Sequence, residues 1–297
     1  MASTPMNQPP SRNTSGYSSD PYYGPLANSG FGNPFFYHQF ADDFDNQLGA
    51  AGIYTATNTG AGTIAHNAAD GGTALFTTAA TANALDAIQL PAASFTLPGT
   101  GATPPGTSLS MKKMFYLCRL QLSDVTLATF IAGLCNTTTT LFTTGVQSVT
   151  DGLFFYKAPG AANNLVVLNI ASAGNDPAGA GFTNTFTIPT TAYTLANNTY
   201  IDLAYYIDRN QNLFMFVGSQ LVGWIPQSGT GAVNAAGVPT LPVLGPVLAN
   251  YNFNAQGVQT PVRFSTANLN VSLAVSNGVT AAVKTMTADF HCVQKER

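Results

Sequence analysis

The chain has 297 residues with 10 Lys+Arg, 13 Asp+Glu and a formal net charge of −3, so only 8% of it is charged while 45% is hydrophobic. No apolar run comes near the roughly 18 residues that cross a bilayer, and the cations never cluster beyond Lys112–Lys113 and Lys295–Arg297. A membrane-spanning helix, a coiled coil and a phosphate-tracking groove for nucleic acid are thereby set aside.

Residues 1–35 mix Pro, Ser, Asn, Gly and Tyr without periodicity and read as an extended N-terminal arm that cannot build its own core. Tyr22, Tyr23, Phe31, Phe35 and Phe36 are its candidate anchors for docking onto a neighbouring subunit or onto the body. The first dozen residues lack a basic stretch followed by an apolar one, so no signal-type export is expected.

From residue 36 to 297 the pattern predicts one all-β body. Early strands are expected at 36–44, 62–66, 72–77, 86–90 and 93–97, and a surface excursion rich in Pro and Gly at 98–110. Segment 113–122 alternates but is apolar on both faces in its first half, which suits a strand between packed layers. Residues 124–132 are expected as a short helix or a loop before Gly133, with further strands at 151–157, 164–170 and 184–188. In 200–207, Ile201, Leu203, Tyr205 and Ile207 share one face; Asp208 to Asn212 then forms a hairpin turn before the strand 213–217. Residues 226–248 form a long apolar loop punctuated by prolines, expected to cover a sheet face or a neighbour, with Val238, Leu241 and Leu244 as candidate interface residues. The last strands are predicted at 269–275, with Leu269, Val271, Leu273 and Val275 facing in, then 279–283 and 285–293.

Residue types that carry catalysis are sparse. Cys118, Cys135 and Cys292 are odd in number and lack metal spacing, so buried free thiols are expected. His38, His66 and His291 lie far apart and read as half-buried strand residues; His291 and Cys292, as strand neighbours, should point to opposite faces. Glycoside hydrolysis needs two carboxylates, yet Glu296 is the sole glutamate and the aspartates at the strand-like two-residue spacing are Asp43 and Asp45. Asp70-Gly71-Gly72 and Asp151-Gly152 match no calcium loop. No catalytic residue, metal ligand or cofactor site is assigned. Trp224, the single tryptophan, together with Asp208, Asn210 and Asn212, supplies the only candidate glycan platform: a ring for stacking beside planar acceptors and donors.

The order of several short motifs resembles a known group. Asp42-Asp43-Phe44 precedes a Gly-rich hairpin and Asp70-Gly71-Gly72-Thr73-Ala74-Leu75-Phe76; Lys112–Lys113 leads a long strand; Gly133-Leu134, Asp151-Gly152-Leu153-Phe154-Phe155 and Leu244-Gly245-Pro246 follow. Over about residues 40–295 this is similar to tailed-bacteriophage virion proteins with a concanavalin A-like jelly-roll β-sandwich, particularly capsid decoration or cement subunits. The resemblance implies an antiparallel two-sheet sandwich on the outer capsid surface, with the major capsid protein and further copies of the chain as partners. Some relatives of the same fold are tail, fibre or baseplate proteins that bind host glycans, which gives the alternative expectation.

Overall fold

The computed structural model describes residues 37–44, 52–67, 72–98, 112–160, 166–173, 182–188, 193, 195–208, 212–225, 264–265 and 267–296. Seventeen strands are found among them. Sheet A holds β1 (Tyr37–Asp42), β3 (Thr63–Asn67), β4 (Thr73–Thr77), β6 (Met114–Leu122), β13 (Ile201–Ile207), β14 (Leu213–Val217), β15 (Gln220–Ile225) and β17 (Thr285–Glu296). Sheet B holds β2 (Thr55–Asn58), β5 (Leu85–Gln89), β7 (Thr129–Cys135), β10 (Gly152–Lys157), β11 (Val166–Ser172), β12 (Phe182–Thr187) and β16 (Asn270–Ser276). A small hairpin, β8 (Phe142–Thr143) with β9 (Val146–Gln147), stands apart.

The strand order is β15-β14-β13-β6-β17-β4-β3 in sheet A and β12-β11-β10-β7-β16-β5-β2 in sheet B. Position by position, the chain crosses from one sheet to the other: β2 to β3, β4 to β5, β6 to β7 and β16 to β17 occupy matching places in the two layers. That wrapping, with every pair antiparallel, is an antiparallel jelly roll of concanavalin A-like topology. The long β17 is shared: residues 285–288 pair with β4, and residues 291–296 pair with β1 on the same edge.

Alternation builds the core. Leu269, Val271, Leu273 and Val275 from one side meet Met114, Tyr116, Cys118, Leu120, Leu203, Tyr205 and Ile207 from the other, all buried between the sheets. Each such aliphatic side chain contributes about 1.5–3 kcal/mol when fully buried, so the inward faces of β6, β13 and β16 carry the layer packing. The outward face of sheet B is buried as well. Ile131, Cys135, Phe154, Tyr156 and Ala274 cluster with Leu141, Phe142 and Val149, so the connection between β7 and β10 lies across that face.

Two expectations are corrected. Of residues 124–132, expected as a short helix or a loop, 124–128 form the loop and 129–132 open a strand that runs to Cys135: Asp124 Oδ1 accepts from the Thr126 and Leu127 N–H groups, tightening a turn that ends at Ala128, and β7 then runs between β10 and β16. Gly133 sits inside that strand, not after a loop; a Cβ there would come within 2.5 Å of Phe154 Cα, so the close approach of β10 requires glycine. Residues 279–283 form no strand; Val279 and Val283 are exposed in the connection that leads from Asn277 into β17. At 93–97 pairing shrinks to one bridge between Phe95 and Leu269. Residues 1–36, 99–111 and 226–263, which contain Tyr22, Tyr23, Phe31, Phe35, Phe36, Val238, Leu241 and Leu244, lie outside the described residues.

Candidate binding face

Charged side chains inside strands are rare in this chain, and three of them meet on the outward face of sheet A. Arg119 lies on β6 between Cys118 and Leu120, which point into the core, so Arg119 points out. The register sets Asp202 of β13 directly opposite Arg119. On the other side β17 breaks register between Ala288 and Phe290, leaving Asp289 as an extra, bulged residue beside Arg119. Bulges of this kind re-aim a side chain. Here the result is an Arg119 Nε that lies 3.7 Å from Asp202 Oδ1 and 3.5 Å from Asp289 Oδ2.

Both separations exceed a hydrogen bond, and Arg119 Nε has no hydrogen-bond acceptor among the described residues. Arg119 Nε therefore sits enclosed between two carboxylates and is held there by charge attraction. Tyr200 flanks it, with the ring centroid 5.0 Å from Arg119 Cζ, in cation–π range. The Arg119 and Asp202 side chains are each 38% exposed, whereas Asp289 is 10% exposed. The Asp202 carboxyl is held above the ordinary carboxylate range, chiefly by burial; Arg119 opposes that shift and Asp289 adds to it.

Around this polar trio the face is apolar and aromatic. Phe115, Leu117, Ala204, Tyr206, Phe216, Phe290 and Cys292 form one buried cluster, with Phe214 and Leu221 partly buried against it. Tyr206 and Phe214 stack at 5.9 Å with 26° between ring planes. Carboxylates and a guanidinium offer planar acceptors and donors, and of the neighbouring rings those of Tyr200 and Phe214 are half-buried and leave part of their surface exposed.

Of the residues proposed from sequence for glycan contact, Asp208 and Asn212 are bonded to each other. Asn212 donates from its backbone N–H to Asp208 Oδ1 at 2.9 Å and from Nδ2 to Asp208 Oδ2 at 2.8 Å, which closes the hairpin between β13 and β14. Trp224 lies in β15 opposite Phe214 in the register. Asn210 is outside the described residues. Arg119, Asp202 and Asp289 went unnoticed in the sequence, although an arginine in the otherwise uncharged run of β6 was the available signal.

The histidines do not converge. His38 is exposed on β1, with its ring 4.6 Å from that of Phe95, and His66 is exposed on β3, so neither is half-buried. His291 is fully buried and faces the core, where Tyr54 Oη lies 2.6 Å from its Nε2. Cys292 points the other way, into the outer cluster of sheet A. All three cysteines are buried free thiols. Among the described residues no group of three or more His, Cys, Asp or Glu side chains gathers to hold a metal ion, and no helix is long and apolar enough to cross a membrane.

No protein-family model matches the chain, and no curated protein matches it. Several solved structures share its architecture at low identity. The globular domain of T. cruzi calreticulin aligns with a TM-score of 0.48 and 10% identity over 85% of this chain and 87% of its own. A protein of unknown function from Shewanella oneidensis MR-1 aligns at 0.45 and 11% over 88% and 87%. Peanut lectin aligns at 0.45 and 10% over 87% and 97%. At such identities the likeness is one of fold.

Proposed function

We propose that the chain is a non-enzymatic carbohydrate-binding β-sandwich of a bacteriophage particle, set among tail, fibre or baseplate proteins where host glycans are met. The observation that carries this reading is the half-exposed Arg119 guanidinium held between Asp202 and Asp289 on the outward face of sheet A, with Tyr200 against it. The arrangement supplies planar hydrogen-bonding groups beside aromatic surface, which is what recognition of a sugar ring requires.

The test is a glycan-array screen of the whole chain against bacterial surface polysaccharides, repeated with Arg119→Ala. Binding by the parent and its loss in the variant supports the reading; no binding by the parent to any glycan contradicts it. A second reading, a decoration or cement subunit on the outer capsid shell in contact with the major capsid protein and with copies of itself, draws on the composition. With 8% charged residues the chain can enter broad interfaces with little ionic desolvation cost. Copy number and position on intact particles separate the two: hundreds on the head favour decoration, and a dozen or so at the tail favour attachment.

A further inference from the structure

Asp86 is the one acidic side chain described at 0% exposure, and neither of its carboxyl oxygens has a hydrogen-bond partner among the described residues. It lies in the middle of β5, between Leu85 and Ala87, which point into the outer cluster of sheet B, so Asp86 points between the sheets beside Ile88. What lies over it is the turn that joins β2 to β3. A Cβ built on Gly62 would collide with Asp86 Oδ1, so the glycine leaves the space that the carboxyl fills.

That turn is a light lid. Asn58 Nδ2 donates to Gly62 O at 3.0 Å, and Thr59 N–H donates to Leu85 O at 2.8 Å while the Leu85 N–H donates to Thr59 Oγ1 at 2.6 Å. β2 itself is exposed along almost its whole length, and on β3 only Ile64 packs against the core. Few buried apolar contacts and a position at the edge of both sheets make this hairpin an element whose release costs little.

We propose that Asp86 is a proton-operated latch: with its carboxyl protonated the β2–β3 hairpin closes over it, and on ionisation the hairpin lifts to let water reach the charge, uncovering the edges of β4 and β5. No charge compensates the ionised form. The groups that face Asp86 are Val275 on β16, Asn58 on β2 and Gly62 in the turn, none of them titratable, and His66 is exposed on β3 opposite Ala74. Burial alone pushes the carboxyl up from 3.8 to about 7, with no charged partner contributing. An uncompensated buried carboxylate is among the costliest groups to keep in a protein interior.

The sign follows from linkage. A carboxyl whose closed-state pKa is raised keeps the hairpin fully latched below the ordinary carboxylate range. The latch weakens about tenfold per pH unit from near 4 up to about 7 and then levels off, a total change approaching about 10³.

The experiment is amide hydrogen exchange at Thr55–Asn58 and Thr63–Asn67 in the full chain between pH 4 and 8, corrected for intrinsic rates. Protection that falls with pH in the parent and stays flat in Asp86→Asn is the expected result. A flat profile in the parent, or the same slope in the variant, overturns the proposal. Should Asp86→Asn fail to fold, the carboxyl-carbon NMR titration of Asp86 in the parent, read together with the amide signals of Thr55–Asn58, decides: a midpoint raised above the ordinary range with the hairpin amides following the same curve supports the latch, and a midpoint close to 4, or hairpin amides that do not follow the titration, overturns it.

Discussion

The Tyr54 hydroxyl lies 2.6 Å from His291 Nε2 and donates to Asp42 Oδ2 at 2.6 Å, so one phenol ties β1, the segment before β2 and the long β17 together. Asp42 Oδ1 accepts from the Phe44 N–H at 2.9 Å, and Phe40 and Phe44 pack their rings against His291 at 5.5 and 5.2 Å. The relay is buried and lined by aromatic surface, so it acts as a structural clamp. His291 Nδ1 finds no partner among the described residues.

Removing the clamp has a definite cost. Tyr54→Phe keeps the ring and deletes the hydroxyl, leaving the Asp42 carboxylate and His291 Nε2 without their partner in the interior. A loss of about 1–3 kcal/mol is expected, read as a lower midpoint in urea with unchanged slope.

His291 also sets an acid limit. Burial pushes its pKa down from 6.5 to about 3, so the folded chain binds fewer protons than the unfolded one between those values. Stability from this group is present above pH 6.5 and is lost as pH falls toward 3, by up to roughly 5 kcal/mol. Because buried Asp86 contributes with the opposite sign over the same range, the readout is the difference between proteins: from pH 7 through 5.5 to 4 the parent should lose stability relative to His291→Gln.

Gly133 is a packing constraint of another kind. Its φ is +157° and an added methyl would meet the Phe154 Cα at 2.5 Å and the Leu153 carbonyl oxygen at 2.6 Å, both backbone groups of β10. Gly133→Ala should separate β7 from β10 and cost more than about 3 kcal/mol. Soluble, cooperative folding of that variant with a near-parental midpoint would refute the geometry.

The binding face should respond differently. Arg119 and Asp202 are each 38% exposed, so their ion pair contributes below about 1 kcal/mol to stability. Arg119→Ala is therefore expected to unfold at nearly the parental denaturant concentration while glycan affinity drops at least about tenfold, the scale of one lost charge-assisted hydrogen bond. A large stability loss with affinity intact would make the trio structural.

The inward faces of β13 and β16 were legible in the sequence because Ile201 to Ile207 and Leu269 to Val275 alternate and those faces point into the core between the sheets. The outward face of β16 was harder. Asn270, Ser272 and Ser276 look like solvent residues in a list of letters, yet all three are buried in the fold. The trio was hidden for a different reason. Its members come from three strands distant in sequence, and a single bulged residue brings Asp289 beside Arg119. Alternation fixes faces within one strand; it does not reveal which strands are neighbours.

The measurement that tests the central claim most directly is backbone-amide NMR of the full chain titrated with the oligosaccharide that scores highest on the array. Shifts concentrated at Arg119, Tyr200, Asp202, Asp289 and their strand neighbours are predicted, with saturation and with loss in Arg119→Ala. Shifts confined to any other face of the sandwich, or none at saturating sugar, would contradict the account.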